Sequence, residues 1–219
     1  MSVTTTSSFN TPGDPNAGPI DLSDPFALFG AWFAEAGAKE AAASAMSLAT
    51  AGDDGWPDLR MVLLNGLDGA EAPSERRGFV FFTNMGSAKA AQIQENRRVS
   101  LCFHWKSLNR QVRIMGEASL VSDAEADEYF ATRPRQAQIG AWASHQSQPL
   151  ESRGLLEARV NEFAARFPDA VPRPEFWSGI RVVPIGIEFW RDRYFRLHDR
   201  FLFTREAPDG PWTCGLLYP

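Results

Sequence analysis

The sequence predicts one α+β domain, in which an antiparallel barrel of strands forms the core and helices pack around it. Three observations carry this expectation. Strand-like runs recur with short connections between them, which suits hairpins better than the long crossovers of a parallel sheet. Helix signals fall between these runs, several of them opened by a capping residue. No G-x-G-x-x-G occurs, so a dinucleotide-binding parallel sheet has no support.

The elements follow in order. Residues 1–22 are rich in Ser, Thr, Pro, Gly and Asn and are expected to be a disordered tail, leaving 23–219 as a single domain. Asp24-Pro25 opens a helix, with Asp as N-cap and Pro in the first turn, and Phe26, Phe29 and Phe33 share one face beside Trp32. Ala45–Thr50, Leu59–Leu64 and Gly78–Phe82 read as strands; the last is apolar throughout, as a strand buried on both faces would be. Ser87 is placed to cap a helix running to Asn96. Arg98–Trp105 alternates, with Val99, Leu101, Phe103 and Trp105 on one side. Gln111–Leu120 follows as a strand. Ser122 and Glu125 form a capping box, each side chain able to satisfy the other's backbone N–H. Residues 151–167 place Leu156, Val160, Phe163 and Phe167 at helical spacing, and Arg181–Trp190 and Arg200–Thr204 return to strand.

Composition excludes several classes of function. A net charge of −5 disfavours nucleic acid and anionic membranes as partners. No apolar run approaches the ~20 residues that span a bilayer, and no secretory signal is visible. Two cysteines without paired spacing point to free thiols and a cytoplasmic location, and three scattered histidines give no metal site. The 16 Phe and 7 Trp exceed what is usual; they serve packing and also suit a flat aromatic ligand.

Four segments carry chemistry. Thr83-Asn-Met-Gly-Ser-Ala-Lys89 joins a buried strand to a helix start, where free N–H groups and a lysine attract an anion; a capped helix with a solvated lysine has the same sequence. Arg60 sits in an apolar strand, either facing outward or paired internally. Arg133-Pro-Arg135, with Tyr129 one turn earlier, offers two guanidiniums and a phenol to a phosphate, or forms a solvated helix end. In Arg196-Leu-His-Asp-Arg200, an extended backbone would put Arg196, His198 and Arg200 on one face, where they repel unless an anion joins them; a polar surface turn is the alternative.

The segments RMVLLN, FVFFTNMGSAKAAQI, RRVSLCFHW, RQVRIMG, YFATRPRQAQIGAWASHQS, PEFWSGIRVVPIGIEFW and RLHDRFLF occur in this order. Together they resemble the successive motifs of the pyridoxamine 5′-phosphate oxidase family, over nearly the whole chain from Asp24. The RLHDR and QIGAW…QS elements are the specific ones. The resemblance implies a split β-barrel homodimer with FMN at the subunit interface. It further implies oxidation of pyridoxamine or pyridoxine 5′-phosphate to pyridoxal 5′-phosphate, with dioxygen as acceptor and hydrogen peroxide as by-product. By the same resemblance, FMN contacts fall on Arg60, Met61, Val62, Leu63 and Leu64. Further FMN contacts are Phe82, Thr83 and Lys89, then Gln111, Gln146 and Ser147, and finally Trp190 and Arg200. Substrate contacts fall on Tyr129, Arg133, Arg196 and His198, and the last two are also the catalytic pair.

The chain departs from the family pattern at Asn65, usually lysine, and at Ala137, usually serine, both on the substrate phosphate. It departs again at Ala88, usually an arginine on the flavin phosphate. Each charge-assisted bond so lost costs ~1.5–3 kcal/mol. A flavin enzyme of the same fold acting on a different substrate, one that is neutral, larger or phosphate-free, and a non-catalytic FMN or pyridoxal-phosphate binder are therefore the alternatives.

Overall fold

The computed structural model describes residues 4–5, 16 and 18–219. Two short strands, β1 (Thr4–Thr5) and β2 (Ile20–Asp21), pair antiparallel. Most of the tail expected to be disordered lies outside the described residues. Ile20 and Leu22, however, are buried in the main core, so the packed chain reaches back past residue 23.

Helix α1 (Pro25–Gly37) starts at Asp24, whose side chain accepts from the Phe26 N–H at 2.8 Å. It buries Phe26, Phe29 and Trp32, and Phe29 meets Phe79 edge-on with centroids 4.9 Å apart. Strands β3 (Ala45–Ala51), β4 (Pro57–Leu63), β5 (Gly66–Leu67) and β6 (Phe79–Asn84) lead to helix α2 (Ala88–Glu95). Strands β7 (Arg98–Trp105) and β8 (Arg110–Leu120) form a hairpin. Helices α3 (Asp123–Thr132), α4 (Arg135–Ala143) and α5 (Arg153–Arg166) follow, and then strands β9 (Trp177–Arg191), β10 (Asp199–Thr204) and β11 (Thr213–Leu216).

The nine-stranded sheet runs β11-β10-β9-β8-β7-β3-β4, with β6 pairing both β9 and β5. Every pairing is antiparallel. Strand β9 is the spine. One edge carries β8 along Ile180–Arg191; the other carries β6 along Trp177–Val182 and β10 along Gly186–Arg191. The register shifts between Met115 and Gly116, where a Cβ on Gly116 would run into the Val183 carbonyl oxygen. Such a bulge bends the sheet. At the other end the chain leaves its ladder with β3 after Leu63 and joins β6 through β5. The sheet thus returns on itself as a barrel, split at Leu64-Asn65.

The barrel core is aromatic and aliphatic: Met46, Leu48, Phe79, Phe81, Phe103, Ile114, Phe189 and Phe203 are fully buried. Each such side chain contributes ~1.5–3 kcal/mol through removal from water. A second cluster, Phe130, Ile139, Phe163 and Trp177, fastens α3–α5 to the start of β9.

Four sequence expectations need correction. Ser87 occupies the N-cap of α2, but its hydroxyl accepts from Lys89 Nζ at 3.2 Å instead of from the helix backbone. The strand expected from Arg181 begins at Trp177. Arg196–Arg200 is not one extended segment. Tyr194–Arg196 is a tight turn with φ of 61° at Phe195 and 63° at Arg196, and the strand begins at Asp199. Arg135 does not join Arg133: its guanidinium donates to the Asp169 and Phe167 carbonyls at the end of α5.

Candidate active site

The split in the barrel opens into a cleft of about 560 Å³, between the β4–β5 turn, the end of β6, the start of α2, and helices α3 and α4. One wall is a stack of rings. Phe82 lies on Tyr129 with centroids 4.0 Å apart and planes 6° from parallel, and on Trp177 at 5.2 Å. Two separate cationic groups face the same space.

The first is Lys89, in the opening turn of α2. Its Nζ donates to Gln146 Oε1 at 2.6 Å and to the hydroxyls of Thr83 and Ser87 at 3.2 Å. Burial pulls its pKa down, the neighbouring Arg60 pulls it further, and Asp58 opposes both. Arg60 does not line the cleft. It stands beside it, paired with Asp58, and donates to Gln92 Oε1 at 3.0 Å and to the Leu48 carbonyl at 3.3 Å. Lys89 in the first turn of a helix and Arg60 beside it thus present two cations, a donor set that a phosphate dianion fits. Ser147, exposed after α4, holds a left-handed backbone at φ 70°, a strained state for a residue with a Cβ.

The second is Arg133, at the end of α3. Its guanidinium packs 4.8 Å from the centroid of Trp177, and its buried Nη1 finds no hydrogen-bond partner among the described residues. Burial disfavours its charge and lowers its pKa, while Tyr129 opposes the shift. An orphaned buried donor of this kind costs ~1–3 kcal/mol unless an acceptor reaches it.

The remaining expected residues lie elsewhere. Gln111, Trp190 and Arg200 are in register on β8, β9 and β10, and the Trp190 ring meets His198 at 4.7 Å. Arg200 donates to Glu188 Oε1 at 2.8 Å and to the Tyr218 carbonyl at 2.9 Å. His198 Nδ1 is 3.0 Å from Asp192 Oδ1. Arg196 is exposed on the preceding turn. None of these five lines the cleft. Trp177 marks one end of β9 and Trp190 the other, up to about 40 Å apart at ~3.3 Å per residue.

The outward face of the sheet connects the two groups. Met61, Ser47, Cys102, Arg113, Glu188 and Leu202 are successive partners across six strands. On the edge strand β4, Leu59, Met61 and Leu63 are more than half exposed on this face. Such a contiguous apolar edge marks an interaction surface.

The sequence reading missed the contributions of Asn84 and Trp177 to the cleft. Trp177 lay in a segment already singled out, PEFW, but nothing local shows that its ring stacks on Phe82. Among the described residues no group of three or more His, Cys, Asp or Glu could hold a metal ion, and no helix is long and apolar enough to cross a membrane.

Fold and cleft together define a split-barrel protein with two cationic groups and an aromatic wall in one cleft. Comparison with known proteins places it further. The family model described as pyridoxamine 5′-phosphate oxidase matches residues 33–167, and one described as the pyridoxine 5′-phosphate oxidase C-terminal dimerisation region matches residues 177–219. The chain is 54% identical to a pyridoxine/pyridoxamine 5′-phosphate oxidase of Rhizobium meliloti, over 91% of this chain and 94% of that one. It is 57% identical to one of Nitrobacter winogradskyi, over 91% of each. Among solved structures, PhzG from Burkholderia lata, in complex with tetrahydrophenazine-1-carboxylic acid, superposes with a TM-score of 0.82 at 31% identity, covering 90% of this chain and 93% of that one. The chain belongs to the pyridoxamine 5′-phosphate oxidase family.

Proposed function

We propose that this protein binds FMN and oxidises pyridoxine and pyridoxamine 5′-phosphate to pyridoxal 5′-phosphate. Dioxygen is reduced to hydrogen peroxide, and the amine substrate takes up water and releases ammonia. The observation that carries this reading is the pair of distinct cationic anchors, Lys89 and Arg133, in one aromatic-walled cleft. One suits the phosphate of a cofactor and the other that of a substrate.

Lys89, Arg60 and the first N–H groups of α2 hold the cofactor phosphate, with Thr83, Gln146 and Ser147 around it. Arg60 exchanges part of its contact with Asp58 for that phosphate. Met61–Leu64 and Phe82 line the flavin. When bound, the isoalloxazine ring supplies a two-electron acceptor. Tyr129 and Arg133 take the substrate phosphate, and this remote binding energy orients the reacting carbon.

Gln111, Trp190, Arg196, His198 and Arg200 complete the site from a second copy of the chain, docked through the outward sheet face. The match of residues 177–219 to a dimerisation region supports this assembly. In it, Arg196 packs over the substrate ring. The Arg193 backbone N–H donates to His198 Nδ1 at 3.3 Å, which leaves Nε2 as the nitrogen that faces the substrate and passes a proton there.

A phosphate-free aromatic substrate is the second reading, favoured by the neutral Asn65 and Ala137 in the cleft lining. Anaerobic mixing of the FMN-loaded protein with pyridoxine 5′-phosphate decides between them. Rapid loss of the flavin absorbance supports the first reading. A protein that stays yellow at high substrate refutes it.

A further inference from the structure

Asn65 stands where the ladder of β4 has ended and that of β5 has not yet begun. Its backbone N–H donates to the Val80 carbonyl at 2.8 Å. Its side chain makes two more bonds: Oδ1 accepts from the Phe82 N–H at 3.3 Å, and Nδ2 donates to the Tyr129 oxygen at 2.6 Å. The direction of this relay is fixed by chemistry. A backbone N–H only donates, so the carbonyl end of the amide must face Phe82 and the amino end Tyr129. The phenol oxygen therefore accepts from Asn65. A phenol hydrogen lies near the ring plane and has two orientations there; the incoming Nδ2–H occupies one. The hydroxyl proton is left on the other side, free for a ligand in the cleft that Tyr129 lines.

The ring has little freedom to undo this. It is stacked on Phe82, whose own N–H anchors the other end of the Asn65 amide. Arg133 lines the same cleft with an unpaired buried Nη1. An anionic group that binds the Arg133 guanidinium also needs a neighbouring donor, not a neighbouring acceptor.

We propose that Asn65 is a positioning residue that presents Tyr129 as a hydrogen-bond donor to the anionic end of the substrate, beside Arg133. The proposal rests on the reading that this end of the cleft takes the substrate phosphate. It adds that the neutral amide acts through the phenol rather than on the ligand itself.

The test uses the FMN-loaded protein and four variants: Asn65→Asp, Asn65→Ala, Tyr129→Phe, and Asn65→Ala combined with Tyr129→Phe. Aspartate keeps an acceptor for the Phe82 N–H but takes the Tyr129 proton for itself. Two quantities are read: the affinity for inorganic phosphate, from quenching of tryptophan fluorescence, and KM and kcat for pyridoxine 5′-phosphate. We expect Asn65→Asp to weaken phosphate binding and raise KM by about 30-fold or more, and Asn65→Ala by about fivefold, with kcat changed less than about threefold. In the Tyr129→Phe background, Asn65→Ala should add less than about twofold, because the group it positions is gone. Flavin content should not change.

An Asn65→Asp variant with wild-type phosphate affinity and KM overturns the proposal. So does an Asn65→Ala effect of the same size with and without the Tyr129 hydroxyl. A wild-type protein that oxidises no pyridoxine 5′-phosphate but binds phosphate with the expected ranking refutes the activity and keeps the proposal. A wild-type protein that binds neither overturns both.

Discussion

The Lys89 ammonium and the Gln146 side-chain oxygen lie 2.6 Å apart, joining the first turn of α2 to the loop after α4 across 57 residues of sequence. Lys89 is thereby held at the mouth of the cleft with its charge only partly compensated. Replacing Lys89 with Met removes the charge and keeps most of the stem. We expect the affinity of the apoprotein for FMN to fall by about 10- to 100-fold, the equivalent of one charge-assisted contact. Titration by quenching of flavin fluorescence measures this directly, and an unchanged affinity would place the cofactor phosphate elsewhere.

The outward row on β4 gives a prediction about assembly. Leu59 is 64% exposed on the edge strand and makes no part of the barrel core. Leu59→Asp should leave the fold of the single chain intact, with unchanged far-UV circular dichroism, because the site is already solvated there. In solution it should convert a dimer to a monomer, read by light scattering, and flavin should be lost with the partner. A variant that stays dimeric and yellow would show that this face is not the interface.

At the β8 bulge, Gly116 lies so close to β9 that an added Cβ would contact the Val183 carbonyl oxygen and sit 2.9 Å from the Pro184 Cα. Both obstacles are backbone, so they do not move aside cheaply. Gly116→Ala should cost ~1–3 kcal/mol and lower Tm by several degrees. A Tm within a degree of wild type would mean that the strands separate there without penalty.

Acid should loosen the attachment of α3. Its capping carboxylate, Glu125, also accepts from Arg181 at 2.6 Å, and that bond does most to hold its pKa down at about 2, against an ordinary 4.5. A carboxyl depressed in the folded state binds fewer protons there than in the unfolded chain. Its stabilisation is therefore complete above about pH 4.5 and is lost as the pH falls toward 2. The carboxylate is partly exposed, so the effect is modest, on the order of 1 kcal/mol. Glu125→Gln should flatten the dependence of Tm on pH in that window; an unchanged slope would assign the acid sensitivity to other groups.

Much of this architecture was legible because its causes are local. The Ser122–Glu125 capping box forms as expected, since both partners sit within one turn. The alternation of Arg98–Trp105 maps onto a strand with one buried and one exposed side. Other features have no local sign. Helix α4 follows Pro134 directly with no capping side chain to announce it, and it turns Arg133 and Arg135 apart. The left-handed residues Phe195 and Arg196 are neither Gly nor Asn, so the sequence carries no signal of the turn that keeps Arg196 off the strand beginning at Asp199. For the site, the resemblance named the residues, but only folding shows that they form two groups at opposite ends of β9, and that Asn65 reaches Tyr129.

The separation of those two groups has a genetic consequence under the proposed assembly. Each dimer would hold two composite sites, each built from the Lys89 half of one chain and the His198 half of the other. A chain defective at Lys89 and a chain defective at His198 are each inactive alone. Mixed, they form heterodimers in which one site collects both defects and the other collects neither. Loss-of-function alleles of this protein should therefore sort into two complementing groups, divided by which half of the site they damage.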